Sequence, residues 1–105
     1  MRLRKEGNEF LEEEVLLIAK VSDGLAHPLR VRLLRHIMNE NIKRTPVCNG
    51  DLVNAFNYSQ STISQHMKVL EKSGLVQVQK KNRFSYYYVN IGLLSKYLEQ
   101  TKRLK

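Results

Sequence analysis

A chain of 105 residues makes one domain, too small to bury a large core on its own, and nothing in it approaches the run of about 18 apolar residues that a membrane crossing needs. Its single cysteine, Cys48, excludes an internal disulfide framework, and the opening Met1-Arg2-Leu3-Arg4-Lys5-Glu6 lacks the apolar core of a signal peptide, so a reducing, cytoplasmic location is expected. The net charge of +8 is uneven. Residues 1–24 carry four bases against six acids, whereas residues 25–105 carry fourteen bases against Glu40, Asp51, Glu71 and Glu99, and a surface of that sign attracts polyanions, nucleic acid above all.

The periodicity predicts helix, helix, short helix, helix, two strands, helix. A first helix is expected over Asn8–Asp23, where Leu11, Val15, Ile18 and Ser22 share a face and Glu12, Glu13 and Glu14 suit the positive end of the helix dipole. Gly24 ends it. His27-Pro28 opens a second helix, because proline is preorganised for the first helical position. Leu33 and Ile37 lie on its inner face, and a polar loop is expected from Asn39 through Pro46. A third helix fits Gly50–Phe56 and Asn57-Tyr58-Ser59 a turn. Ser59 then caps a fourth helix, Gln60–Ser73, which Gly74 stops. Leu75–Gln79 alternates as a half-buried strand, Lys80-Lys81-Asn82-Arg83 reads as the turn, and Phe84–Val89 returns. Asn90 caps a last helix running to about Lys102.

The fourth helix carries the chemistry. At 100° per residue, Ile63, Met67 and Leu70 fall on one side and pack on the domain, while Ser61, Ser64, Gln65, Lys68 and Lys72 fall on the other. A solvated helix face normally mixes acids with bases, since such pairs stabilise it. This face holds only hydroxyls, an amide and ammonium groups, with Glu71 toward the edge. Small polar residues allow close approach to a groove, where an amide can pair with adenine, hydroxyls with bases or phosphates, and ammonium groups with phosphates or guanine. The hairpin tip adds Lys80, Lys81, Asn82 and Arg83, placed to reach flanking phosphates or a minor groove. The candidate DNA-binding set is therefore Ser59, Gln60, Ser61, Thr62, Ser64, Gln65, His66, Lys68, Lys72, Lys80, Lys81, Asn82 and Arg83.

The segments Leu25–Leu34 (Leu-Ala-His-Pro-Leu-Arg-Val-Arg-Leu-Leu), Tyr58–Val76 (centred on Ser59-Gln60-Ser61-Thr62-Ile63-Ser64-Gln65-His66-Met67-Lys68) and Tyr86–Val89 resemble the signature segments of the ArsR family of bacterial winged-helix regulators, over roughly Val21–Asn90. The resemblance implies a mainly α fold with a small antiparallel β-hairpin, a winged helix-turn-helix forming one domain over residues 1–105. It places the helix-turn-helix at about 50–73, the β-wing at 75–89, and dimerisation helices at about 8–23 and 90–103. It implies a homodimer meeting through Leu11, Val15, Ile18, Leu94, Tyr97 and Leu98, a recognition helix in the major groove of a near-palindromic double-stranded DNA operator, and repression relieved by an effector. The effector's identity is not implied.

Two departures from the family pattern bear on metal sensing. The family's thiolate motif, Cys-Val-Cys-Asp-Leu, stands here as Cys48-Asn49-Gly50-Asp51-Leu52, and one thiol falls short of the three or four ligands a soft metal takes. The family's other site uses carboxylates and histidines on the last helix, which opens here with Ile91-Gly92-Leu93 and holds no histidine. No metal site and no cofactor are expected. His27, His36 and His66 are scattered along the sequence, with His66 at the flank of the buried face of its helix. Cys48 leaves open a redox-responsive alternative. A winged-helix module that binds protein or RNA is another, since function resides in the site rather than the fold. No glycine-rich phosphate loop or nucleophile motif suggests an enzyme, and Tyr86, Tyr87 and Tyr88 read as strand packing.

Overall fold

A computed structural model describes residues 10–105. The described residues form five helices, α1 (Glu12–Gly24), α2 (Pro28–Ile42), α3 (Asn49–Phe56), α4 (Gln60–Lys72) and α5 (Ile91–Lys102), and a hairpin of β1 (Val76–Lys81) and β2 (Phe84–Val89) that packs on α2 and α4. The core is Leu29, Leu33 and Ile37 of α2, Leu52 of α3, Ile63, Met67 and Leu70 of α4, and Leu75, Val76, Tyr87 and Val89 around the hairpin, all buried. The apolar face expected on the fourth helix is therefore the one that packs.

Local chemistry sets the boundaries. Within the described residues α1 begins at Glu12, where the Glu14 carboxylate accepts the Leu11 N–H (2.9 Å); the Asn8 and Glu9 of the expected helix lie outside them. The His27 ring caps α2, its Nδ1 accepting the Leu29 N–H at 3.0 Å. The Ser59 hydroxyl caps α4 by accepting the Thr62 N–H at 3.1 Å. Asn57 ends α3 in the left-handed region (φ 57°), and Gly74 follows α4 at φ +89°, a conformation that side-chain-bearing residues rarely take.

The structure corrects several expected limits. The polar stretch from Asn39 does not begin a loop: α2 runs on to Ile42. Its last turn is held by Asn41, whose amide accepts the Val89 N–H (2.9 Å) and donates to the Tyr87 carbonyl (3.3 Å), so it pairs with β2 as a strand would. Helix α3 starts at Asn49, one residue earlier than expected, with Cys48 as cap and Asp51 accepting the Cys48 N–H at 2.9 Å. Ser73 leaves α4 and caps it. Lys80 and Lys81 are strand residues, paired with Ser85 and Phe84, so the turn is Asn82-Arg83 alone, with Asn82 at φ 59°. Val47 and Cys48 add a short third rung to the wing, through the Tyr87 N–H to Val47 carbonyl bond (2.9 Å) and an antiparallel bridge between Cys48 and Tyr86. Of the three tyrosines only Tyr87 is buried; Tyr86 is half-buried and Tyr88 exposed.

Helices α1 and α5 run antiparallel along one side. The Glu14 carboxylate meets the Arg103 guanidinium at 3.1 Å, and the Ser22 and Tyr97 hydroxyls meet at 2.8 Å. The Arg103 guanidinium also lies 4.6 Å from the centre of the Phe10 ring.

Candidate nucleic-acid interface

Helix α4 exposes Ser61, Gln65 and Lys68 while burying Ile63, Met67 and Leu70. A helix can do both because residues three and four apart share a face. The hairpin stands beside it. A hollow of about 440 Å³ is lined by Gln60 and Ser64 of α4, Arg83 of the turn, and Cys48 and Asn49 at the start of α3. A second, of about 220 Å³, brings Lys68 of α4 beside Lys80 of β1, with Glu71 lining it as well. Two candidate groups far apart in sequence thus form one basic, polar surface, with the exposed Lys81, Asn82 and Arg83 at its outer end.

The thirteen candidate residues divide by their contacts. Ser59, Gln60, Ser61, Gln65, Lys68, Lys72, Lys80, Lys81, Asn82 and Arg83 are exposed. Thr62, Ser64 and His66 are half-buried and engaged within the chain. Thr62 Oγ1 accepts from the Ser59 hydroxyl at 3.0 Å. Ser64 Oγ accepts from Asn49 Nδ2 at 3.3 Å, so it faces α3 and the wing rather than standing wholly outward. The same Asn49 amide donates to the Tyr87 hydroxyl at 3.4 Å, tying α4, α3 and the wing together. Lys72 is set apart from the rest, since it shares a hollow with Lys20 and Asp23 of α1.

The histidines are not all scattered once the chain folds. The His27 and His66 rings lie 4.5 Å apart, centre to centre. Arg30 Nη1 lies 3.1 Å from His66 Nδ1, and Arg30 Nε donates to the Gly24 carbonyl at 2.8 Å. Burial, then the neighbouring His27, then Arg30 hold the His66 imidazole below its ordinary value of 6.5. His36 is elsewhere, its ring edge-on to Phe56 at 5.4 Å. Sequence spacing carried no sign of Arg30, His27 or Asn49 in these roles, because each acts across the fold. Among the described residues no three His, Cys, Asp or Glu side chains gather where a metal ion could be held. The Cys48 thiol is half-buried and donates to the Asp51 carboxylate at 3.3 Å. No helix among the described residues is long and apolar enough to cross a membrane.

The six residues expected at a dimer interface lie on α1 and α5 or, for Leu11, at the cap of α1. Leu11 (47% exposed), Val15 (45%) and Leu98 (53%) are open, and α5 has no buried residue. Ile18 is half-buried, and Leu94 and Tyr97 pack partly against their own core.

Residues 27–78 match a family profile described as bacterial regulatory protein, arsR family. The arsenical resistance operon repressor of Bacillus subtilis is 38% identical over 66 residues, which cover 59% of this chain and 63% of that protein. The transcriptional repressor SdpR of Bacillus subtilis is 27% identical over 74 residues, 70% of this chain and 77% of that one. Among solved structures, an ArsR-like transcriptional regulator from Rhodococcus superposes with a TM-score of 0.74 at 22% identity, over 88% of this chain and 82% of that one. At that identity the match speaks for the fold, a winged helix-turn-helix.

Proposed function

The chain belongs to the arsR family of bacterial regulatory proteins, a family of DNA-binding transcriptional regulators, and from that premise we propose that it is a homodimeric repressor that reads a near-palindromic operator. One observation carries the assignment of its reading surface. The side of α4 that carries Gln60, Ser64 and Lys68 adjoins Arg83 and Lys80 of the wing across shared hollows, and Ser61 and Gln65 are exposed on the same helix. In this arrangement α4 enters the major groove and Gln65 reads base edges. Lys68, Lys80, Lys81 and Arg83 neutralise phosphates. Ser59 and Thr62 keep the first turn of the helix formed where it meets the groove.

The homodimer is supported by the apolar side chains that α1 and α5 leave open. Burying a fully exposed leucine or valine side chain contributes about 1.5–3 kcal/mol, and a twofold-related copy would gain roughly half of that at each of Leu11, Val15 and Leu98, which are about half exposed. Two recognition helices would then address half-sites about 34–36 Å apart, one turn of DNA.

Selection of bound duplexes from a random pool, followed by gel shift against random competitor, tests the proposal. A twofold-symmetric sequence should be enriched, and Gln65→Ala should relax base preference at a symmetric pair of positions. Equal loss of binding to every duplex under competition would refute operator reading, and an unchanged preference in Gln65→Ala would remove that residue from base readout.

A further inference from the structure

Three helices meet at one corner through a single guanidinium. Arg30, in the first turn of α2, reaches the end of α1 with Nε to the Gly24 carbonyl (2.8 Å) and Nη2 to the Asp23 carbonyl (3.4 Å). Its Nη1 meets His66 Nδ1 on α4 at 3.1 Å. A guanidinium has five N–H groups and no lone pair, so in this contact Nδ1 can only accept. The imidazole is then neutral, with its proton on Nε2. The charged and titratable groups around it are Arg30 and His27 from α2. Asp23 of α1 meets Arg30 through its backbone carbonyl, and Asp23, Lys20 and Lys72 line the neighbouring α1–α4 hollow. On α4 itself the residues one turn away are Thr62, Ile63, Val69 and Leu70, all uncharged.

A proton added at Nδ1 would turn the acceptor into a donor facing another donor, and would set a cation against the guanidinium beside the His27 ring. The corner therefore closes only around a neutral His66. Because Arg30 also ends α1, the contact ties the recognition helix to α1 as well as to α2. We propose that Arg30 is a positioning residue that seats α4 through His66, and that proton uptake by His66 unseats the helix and weakens operator binding in acid. This regulation rests on the operator-reading function above. The low proton affinity that burial, His27 and Arg30 impose on His66 agrees with it.

The sign of the pH dependence separates this device from its opposite. A His66 directed at a phosphate would become charged in the complex, and binding would tighten as pH falls. Fluorescence anisotropy of the full chain, with the selected operator and a random duplex in parallel at fixed ionic strength, should be read from about pH 7.5 to about pH 5.5. The wild-type dissociation constant should rise as pH falls, by less than the roughly 10-fold that a single group titrating at the ordinary 6.5 would give over that span, because His66 takes up its proton only at lower pH. His66→Gln keeps an oxygen that accepts from Arg30 at every pH, so its ratio between the two pH values should stay near one whatever its absolute affinity. His27→Asn keeps the helix cap without the ring and should retain the acid loss. Nitrogen chemical shifts of the His66 ring in the free protein should show Nδ1 unprotonated at neutral pH. Tighter or unchanged wild-type binding in acid, an undiminished loss in His66→Gln, or an Nδ1–H tautomer would each overturn the proposal. No preference for operator over random duplex at neutral pH is a different failure. It would sink the operator-reading function, and the coupling would fall with it.

Discussion

Gly24→Ala tests how α4 is held against the rest of the domain. A Cβ at this position would stand 2.6 Å from Ser73 Cβ and 2.7 Å from Ser73 Oγ, whereas unstrained carbon contacts lie at about 3.5–4.0 Å. Ser73 cannot easily yield. It is buried, and its hydroxyl donates to the Leu70 carbonyl (2.7 Å) and accepts the Leu75 N–H (3.2 Å). Either the end of α1 moves away from the end of α4, or a buried hydrogen bond breaks. Overpacking of this kind costs about 1–3 kcal/mol, and the better helix propensity of alanine offsets at most about 1 kcal/mol of it at the last residue of α1. A net loss of about 1–2 kcal/mol lowers Tm by roughly 4–8 °C per kcal/mol in a domain of this size. Thermal unfolding followed by circular dichroism reads it, at fixed protein concentration because a dimer's stability depends on concentration. The decisive measurement is the same substitution in a Ser73→Gly background. With that side chain gone the next atom is Leu75 Cδ1 at 3.8 Å, an ordinary contact, so the added methyl should cost little. An equal loss in both backgrounds would refute the packing account.

Other perturbations probe separate contacts. Ser59→Ala removes the oxygen that accepts the Thr62 N–H and should cost about 1 kcal/mol in urea unfolding. Asn41→Leu strips the Val89 N–H and the Tyr87 carbonyl of their side-chain partner. At about 1–3 kcal/mol for each buried group left unsatisfied, it should destabilise more than Ser59→Ala and speed amide exchange at Val89. Lys81→Ala or Arg83→Ala should weaken binding to all duplexes alike, each flattening the slope of log affinity against log salt by about 0.9 for every phosphate no longer neutralised; an unchanged slope would place that side chain off the backbone. The lowered proton affinity of His66 makes stability pH-dependent in a definite direction. The unfolded chain takes up the proton near 6.5 and the folded chain only at lower pH. The contribution is therefore present above 6.5 and is lost as pH falls through the folded value. Urea midpoints of the free protein should fall on acidification, less so in His66→Gln, and a midpoint that rises in acid would contradict the sign.

The one-dimensional pattern already held the element order, the caps at Ser59 and Asn90, the buried side of α4 and the family to which the chain belongs. These rest on interactions within a few residues: helical and strand periodicity, a hydroxyl reaching an N–H three positions on, glycine after a helix. Errors fell where a distant partner overrode a local preference. Asn39–Ile42 reads as loop because its residues are polar, yet Asn41 finds β2 nearly fifty positions away and the helix continues. Lys80 and Lys81 read as turn because they are charged, yet their backbone pairs with Ser85 and Phe84. What folding alone decided is which side chains stand together. Gln60 and Ser64 share a hollow with Arg83, Asn49 joins α4 to the wing, and Arg30 closes α1, α2 and α4 around His66. Spacing along a chain records which residues share a face of one element, and it does not record the orientation of two elements on which such contacts depend.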